Sequence, residues 1–292
     1  MDRAPRNEDQ TMTQRALEDM TTALIPEARS QVHSSQWDVE HTFGIRIPRL
    51  VSRNGAIPAT SDLWEELSYH LFRQALLLHP VDGDWARCRA SLAAAAAAKH
   101  IEALRDSVRL DTWSAFRPVV IGAIGGSGFV WKAVQDDWWR PRPDPDPDGF
   151  TEPLAGGFLA MAARETTRAH TLFGQALEGV RGTGPRTAEM FGGLAELGRA
   201  ICRQDATAVN NRAADRAAMW AKFVADDSEF DARIDTIDYY GLGFLAVARD
   251  WKLDITDNPA MPPGLISPFG AAESAWAAFL ASGEMRSYTD RT

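Results

Sequence analysis

The stretch Ile234-Asp-Thr-Ile237-Asp-Tyr-Tyr240-Gly-Leu-Gly-Phe244-Leu-Ala-Val247-Ala-Arg-Asp-Trp251 decides the fold. Its residues Ile234, Ile237, Tyr240, Phe244, Val247 and Trp251 recur every three or four positions, which lays one apolar stripe along an α-helix. Upstream, Met190, Leu194, Leu197 and Ile201 keep the same beat. Residues 186–266 therefore read as three striped helices followed by an exit marked by Pro262 and Pro263. Such stripes must pack on neighbouring helices rather than reach for a substrate. The fold class expected is all-α, with stacked helical hairpins forming a compact or short solenoid-like bundle.

Working outward, the sequence divides into an irregular N-terminal segment (1–60), a helical part (61–137), a Pro/Asp-rich connector (138–150) and a second helical part (151–292). Ser61 and Asp62 are cap residues for a helix carrying Leu63, Leu67, Leu71 and Leu78, which Pro80 and Gly83 end. The next helix, 85–107, contains the run Ala93–Ala98, which favours helix and leaves a thin surface for a close neighbour. A third helix is expected from Asp111 or Thr112 to Asp137, kinked at Pro118 and weakened by Gly122, Gly125, Gly126 and Gly128. Prolines 141, 143, 145 and 147 forbid helix and sheet alike, so the connector is stiff and extended. It divides two subdomains or forms a surface loop of one. Three segments, 158–164, 197–203 and 244–249, each read as an apolar helix end closed by arginine, at separations that suit a repeated hairpin.

Composition narrows the function. A net charge of −9 argues against a nucleic-acid partner, since neutralising phosphates needs a basic face. The start of the sequence mixes Asp, Glu and Arg, unlike a signal peptide. The longest uncharged run worth testing as a membrane span, 118–131, is too short to cross a bilayer core of about 30 Å. The expected location is cytoplasmic, without a membrane. Cys88 and Cys202 fit free thiols there, with a disulfide between them left open.

Motifs for chemistry are incomplete. The run Gly122-Ala-Ile-Gly125-Gly126-Ser127-Gly128 lies in a helical pattern rather than after a strand, and Phe129 stands where G-x-S-x-G needs its last glycine. Close helix packing accounts for it better. The six histidines form no H-E-x-x-H, and the paired acids Asp136-Asp137 and Asp226-Asp227 lack the fifth-position acid of D-D-x-x-D, having Arg140 and Phe230 instead. Arg164 and His170 have the R-x5-H spacing of helical HEPN-type ribonucleases, a spacing that two surface residues of one helix share. No cofactor, metal or catalytic residue is expected.

Two candidate sites remain. Residues 226–257 hold nine acids against three bases, a local charge of −6. Its first part, Asp226, Asp227, Glu229, Asp231, Asp235 and Asp238, is the candidate docking surface for a basic partner. The alternative is a small-molecule pocket beside the glycine-rich helix, drawn from Trp113, Arg117, Trp131, Asp136, Asp137, Arg164 and Tyr240. It would make the chain a helical enzyme or binding protein of a biosynthetic or resistance cluster.

The run Ala200-Ile-Cys-Arg-Gln-Asp205 is followed by Ala208-Val-Asn210, Trp220, the segment Tyr240–Trp251, Leu253-Asp-Ile255 and Met261-Pro-Pro-Gly-Leu-Ile266. In that order these resemble the C-terminal half of the Imm49 family, immunity proteins of bacterial polymorphic toxin systems. Thr112-Trp113-Ser-Ala and Phe158-Leu-Ala-Met-Ala fall where the family has comparable helix pieces, while residues 1–85 and the Pro/Asp connector lie outside the likeness. The resemblance implies an all-α fold and a non-catalytic role: binding and blocking a cognate protein toxin. It carries over no catalytic residue and names neither the toxin nor an oligomeric state.

Overall fold

A computed structural model describes residues 68–69, 71–72, 88–89, 92–93, 95–96, 112–126, 149–226, 237–258, 260–268 and 270–271. Among the described residues, six helices with defined bounds pack on one another: α1 (Thr112–Gly125), α2 (Thr151–Ala162), α3 (Thr166–Val180), α4 (Pro185–Cys202), α5 (Ala206–Asp226) and α6 (Tyr239–Asp250). A 3-10 turn, Pro263–Leu265, follows. No strand occurs among the described residues, and the protein is an all-α bundle. No described helix is long and apolar enough to cross a membrane.

The helix starts follow local chemistry. Pro185 opens α4, where its missing N–H costs no hydrogen bond. Asp238 caps α6 by accepting from the Gly241 N–H at 3.0 Å. Helix α6 therefore begins at Tyr239, and Ile234 lies outside the described residues. Nor is α6 striped: every residue from Gly241 to Ala248 is buried. A helix buried all round occupies the centre of a bundle, which is where α6 sits, against α1, α2 and α4.

Four helix ends share one device. Helices α2, α4 and α6 each close with a residue of positive φ: Arg164 (62°), Gln204 (54°) and Lys252 (66°). At each end two backbone bonds reach back into the last turn, as with Arg164 N to Met161 O at 3.0 Å and Glu165 N to Ala160 O at 2.8 Å. The pairs at Gln204 and Asp205 and at Lys252 and Leu253 repeat this Schellman arrangement. Gly126 (φ 68°) also ends α1 in the left-handed region, its N–H reaching Ala123 O at 3.4 Å, so that helix stops there instead of running to Asp137. Pro118 lies within α1 and does not end it. The arginines expected to mark a repeat fall at different positions of these ends: Arg164 in the left-handed residue, Arg203 at the C-cap, Arg249 inside the helix.

Contacts fix the directions. Phe116 meets Phe158 and Tyr240, a Cβ on Gly243 would press on Val120, and Arg164 bonds Asp250, so α1, α2 and α6 run the same way. Short turns reverse the chain from α2 to α3 and again from α3 to α4, so α4 joins that set. The four ends with a left-handed residue consequently lie at one end of the bundle.

The core is continuous across the proline connector. Phe116 of α1, Phe158 of α2, Phe173 of α3 and Phe244 of α6 are all fully buried and share one cluster. Phe173 lies between two glycines: a Cβ on Gly157 would sit 2.8 Å from its ring, and one on Gly198 would overlap it. Gly125 comes so close to the alanine-rich segment that a Cβ there would be 2.8 Å from Leu92 O and 3.2 Å from Ala93 Cα. The glycine run of α1 is thus used for packing. Cys88 and Cys202 are not joined by a disulfide.

Candidate functional site

Of the acidic candidates, Asp226 is the last residue of α5, while Asp227, Glu229, Asp231 and Asp235 lie outside the described residues. Asp238 does not belong to a docking surface. It is completely buried and forms an ion pair with Arg216, whose side chain is 1% exposed. Arg216 Nε and Nη2 both donate to this carboxylate, the latter at 3.1 Å, and Nη1 donates to Met190 O at 2.6 Å. A carboxylate taken out of water demands such partners, and the N-cap bond to Gly241 adds a third donor. Gly241 has to be glycine, because a Cβ there would collide with Met261 and Asp238.

The pair sits in a wider clasp that fastens the exit segment to α5. Asn210 Nδ2 donates to Asp254 O at 3.0 Å and its Oδ1 accepts from Thr256 N at 2.9 Å. Asn258 Nδ2 donates to Ala213 O at 2.8 Å, while its Oδ1 accepts from the N–H groups of Ala260 and Met261. Further on, Arg249 donates to the carbonyls of Pro263 and Ile266, and Arg89 to that of Gly264 at 2.7 Å. The carboxylates of the later acids stay outside this clasp: Asp254 and Asp257 are exposed, and Asp250 bonds Arg164 at 2.7 Å.

The pocket candidates separate. Arg117 is exposed on α1 and stacks 5.7 Å above the Phe72 ring. Close to it are Tyr239 and Tyr240 at the start of α6. Tyr240 stacks on Phe116, with ring centroids 5.2 Å apart. Burial raises both phenols above their ordinary value, with the Asp238 charge adding to it and Arg117 opposing. Both are therefore neutral at physiological pH. Arg164 does not join them. It lies beyond the opposite end of α6, bonded to Asp250 and 5.9 Å over the Trp251 ring, about 15 Å away along the helix axis. Trp113 lies on α1, and Trp131, Asp136 and Asp137 fall outside the described residues.

Sequence reasoning missed Arg216, Tyr239 and the contact of His170 with Arg199. Arg216 had a signal: Val209, Ala213, Arg216 and Trp220 share one helix face, which puts a cation on an apolar stripe. Among the described residues no group of three or more His, Cys, Asp or Glu is placed to hold a metal.

The fold and the clasp define a helical bundle whose described interior charges serve packing. No family model, curated protein or solved structure matches the chain.

Proposed function

We propose that this protein is an immunity-type protein that binds a cognate, basic protein toxin and neutralises it through the acidic stretch between α5 and α6. The observation that carries the reading is the attachment of that stretch. Helix α5 ends at Asp226, and the buried Arg216–Asp238 pair ties the far end back to α5. The residues in between carry Asp227, Glu229, Asp231 and Asp235 against the single base Arg233, so a strong negative charge is bracketed by packed helices. Such a field attracts a basic partner, raises its association rate and discriminates against acidic ones. The resemblance of residues 186–266 to the Imm49 family supports the same role, as does the net charge of −9.

The test is neutralisation. The tagged chain captures its partner from the native host, and the gene of the retained protein is expressed with and without this chain. Growth arrest by the partner alone, relieved by co-expression, is the expected result. A partner that is harmless, or an arrest that co-expression leaves unchanged, overturns the proposal. The pocket alternative keeps only Arg117 and Tyr240 together among its described residues.

A further inference from the structure

His170, Arg199 and Arg203 form a cationic cluster where α3 packs on α4, at the end of the bundle that carries the Schellman turns. Arg199 Nε donates to His170 Nε2 at 3.3 Å. The imidazole accepts through Nε2, so it is neutral with its proton on Nδ1. Arg203 follows Arg199 by four residues, which places it on the same side one turn later. Partial burial, then the charges of Arg199 and Arg203, hold His170 below its ordinary value of 6.5.

The carboxylates of this region are engaged elsewhere. On the α3 side Glu165 bonds Arg168 at 2.9 Å, and from α2 Arg164 is held by Asp250. On α4 Glu196 bonds Arg212 at 3.0 Å, and Asp205 accepts from the Ala208 N–H at the start of α5. Among the described residues neither Arg199 nor Arg203 meets a carboxylate. Attraction to a helix C-terminus accounts for one arginine in the last turn of α4. It does not account for a second guanidinium beside it and an imidazole bonded to the first, in a chain of net charge −9.

We propose that His170, Arg199 and Arg203 form a binding site for a phosphate group, either free phosphate or a small phosphomonoester. Nη1 and Nη2 of Arg199 and the fork of Arg203 are donors matched to phosphate oxygens. When the anion arrives, His170 takes up one proton at Nε2, releases its bond from Arg199 and becomes a further donor. Binding and protonation are therefore linked: the anion raises the His170 pKa, and falling pH tightens the anion. This site uses no residue of the acidic stretch and stands whether or not a toxin is the partner.

The test is an NMR titration of the His170 ring protons in the full-length chain, assigned by loss of the signal in His170→Gln. Titrations run in chloride, with added inorganic phosphate and with added glycerol phosphate, all at one ionic strength. The His170 pKa should start below 6.5 in chloride and rise by about one pH unit with phosphate. In the variant Arg199→Gln/Arg203→Gln the phosphate effect should vanish. A larger response to glycerol phosphate assigns the site to phosphomonoesters, and an equal response assigns it to free phosphate. A His170 pKa indifferent to both, or an equal rise in the double variant, overturns the proposal.

Discussion

Arg216→Met removes the guanidinium from the α5–α6 contact while keeping most of the side-chain length. Three donors are lost: Nε and Nη2 to Asp238 and Nη1 to Met190 O. The partner left behind is fully buried and retains only the Gly241 N–H. Stranding one half of a buried pair costs about 3–5 kcal/mol. That is a loss of roughly 100- to 5,000-fold in the folding equilibrium constant. Asp238→Asn on top of Arg216→Met removes the stranded charge yet keeps an N-cap acceptor, so the double variant should be more stable than Arg216→Met alone. Equilibrium unfolding in urea, followed by helical circular dichroism on the wild type, both single variants and the double, gives all four corners of the cycle. A cost below about 1 kcal/mol for Arg216→Met, or additive costs in the double variant, refutes the reasoning that this pair ties α5 to α6.

Other predictions concern packing, turns and the thiol. Gly198→Ala should destabilise by about 1–3 kcal/mol despite its gain in helix propensity, because the new methyl overlaps the Phe173 ring; the same urea assay measures it. Gln204→Gly should stabilise by about 0.5–1 kcal/mol by relieving a left-handed backbone. Arg164→Gly should gain less, since it also gives up the Asp250 bond and the Trp251 contact; thermal melts of the two variants compare them. Burial pushes the Cys202 thiol up to about 11 from 9.0, so at pH 8 iodoacetamide should modify it roughly 100-fold more slowly than a cysteine peptide, as read by peptide mass spectrometry. His170 adds a pH term of known sign. Its folded value lies below the unfolded 6.5, so its contribution to stability is present above 6.5 and is lost as pH falls towards the folded value. His170→Gln should remove that slope from a series of urea midpoints.

The fold was legible because apolar spacing reports helix faces directly. Leu194, Leu197 and Ile201 are fully buried on α4, and Phe244 and Val247 on α6. The glycine run and the alanine run both pointed to close packing, and Gly125 does lie against Leu92 and Ala93. Two features were less visible. The sequence does not show that α1 stops at Gly126, because only the left-handed turn there and the closeness of Pro268 to it define the end. The likeness among three arginine-closed segments was misleading in register, because the shared feature is a backbone conformation that Arg164, Gln204 and Lys252 adopt without sharing chemistry. At the acidic site, charge counting treated Asp238 as one more surface acid. Its partner Arg216 is 22 residues away in sequence, and only the folded chain brings α5 and the N-cap of α6 within reach of each other.

The central claim is that a partner is held by the charge of the stretch between Asp226 and Asp238. The most direct measurement takes the protein captured by the wild-type chain and compares its affinity for that chain and for the variant Asp227→Lys/Asp231→Lys/Asp235→Lys over a series of salt concentrations. The account predicts an affinity at least about tenfold lower for the variant, with a clearly weaker dependence on salt. Equal affinity and an equal salt slope for the two chains would contradict it.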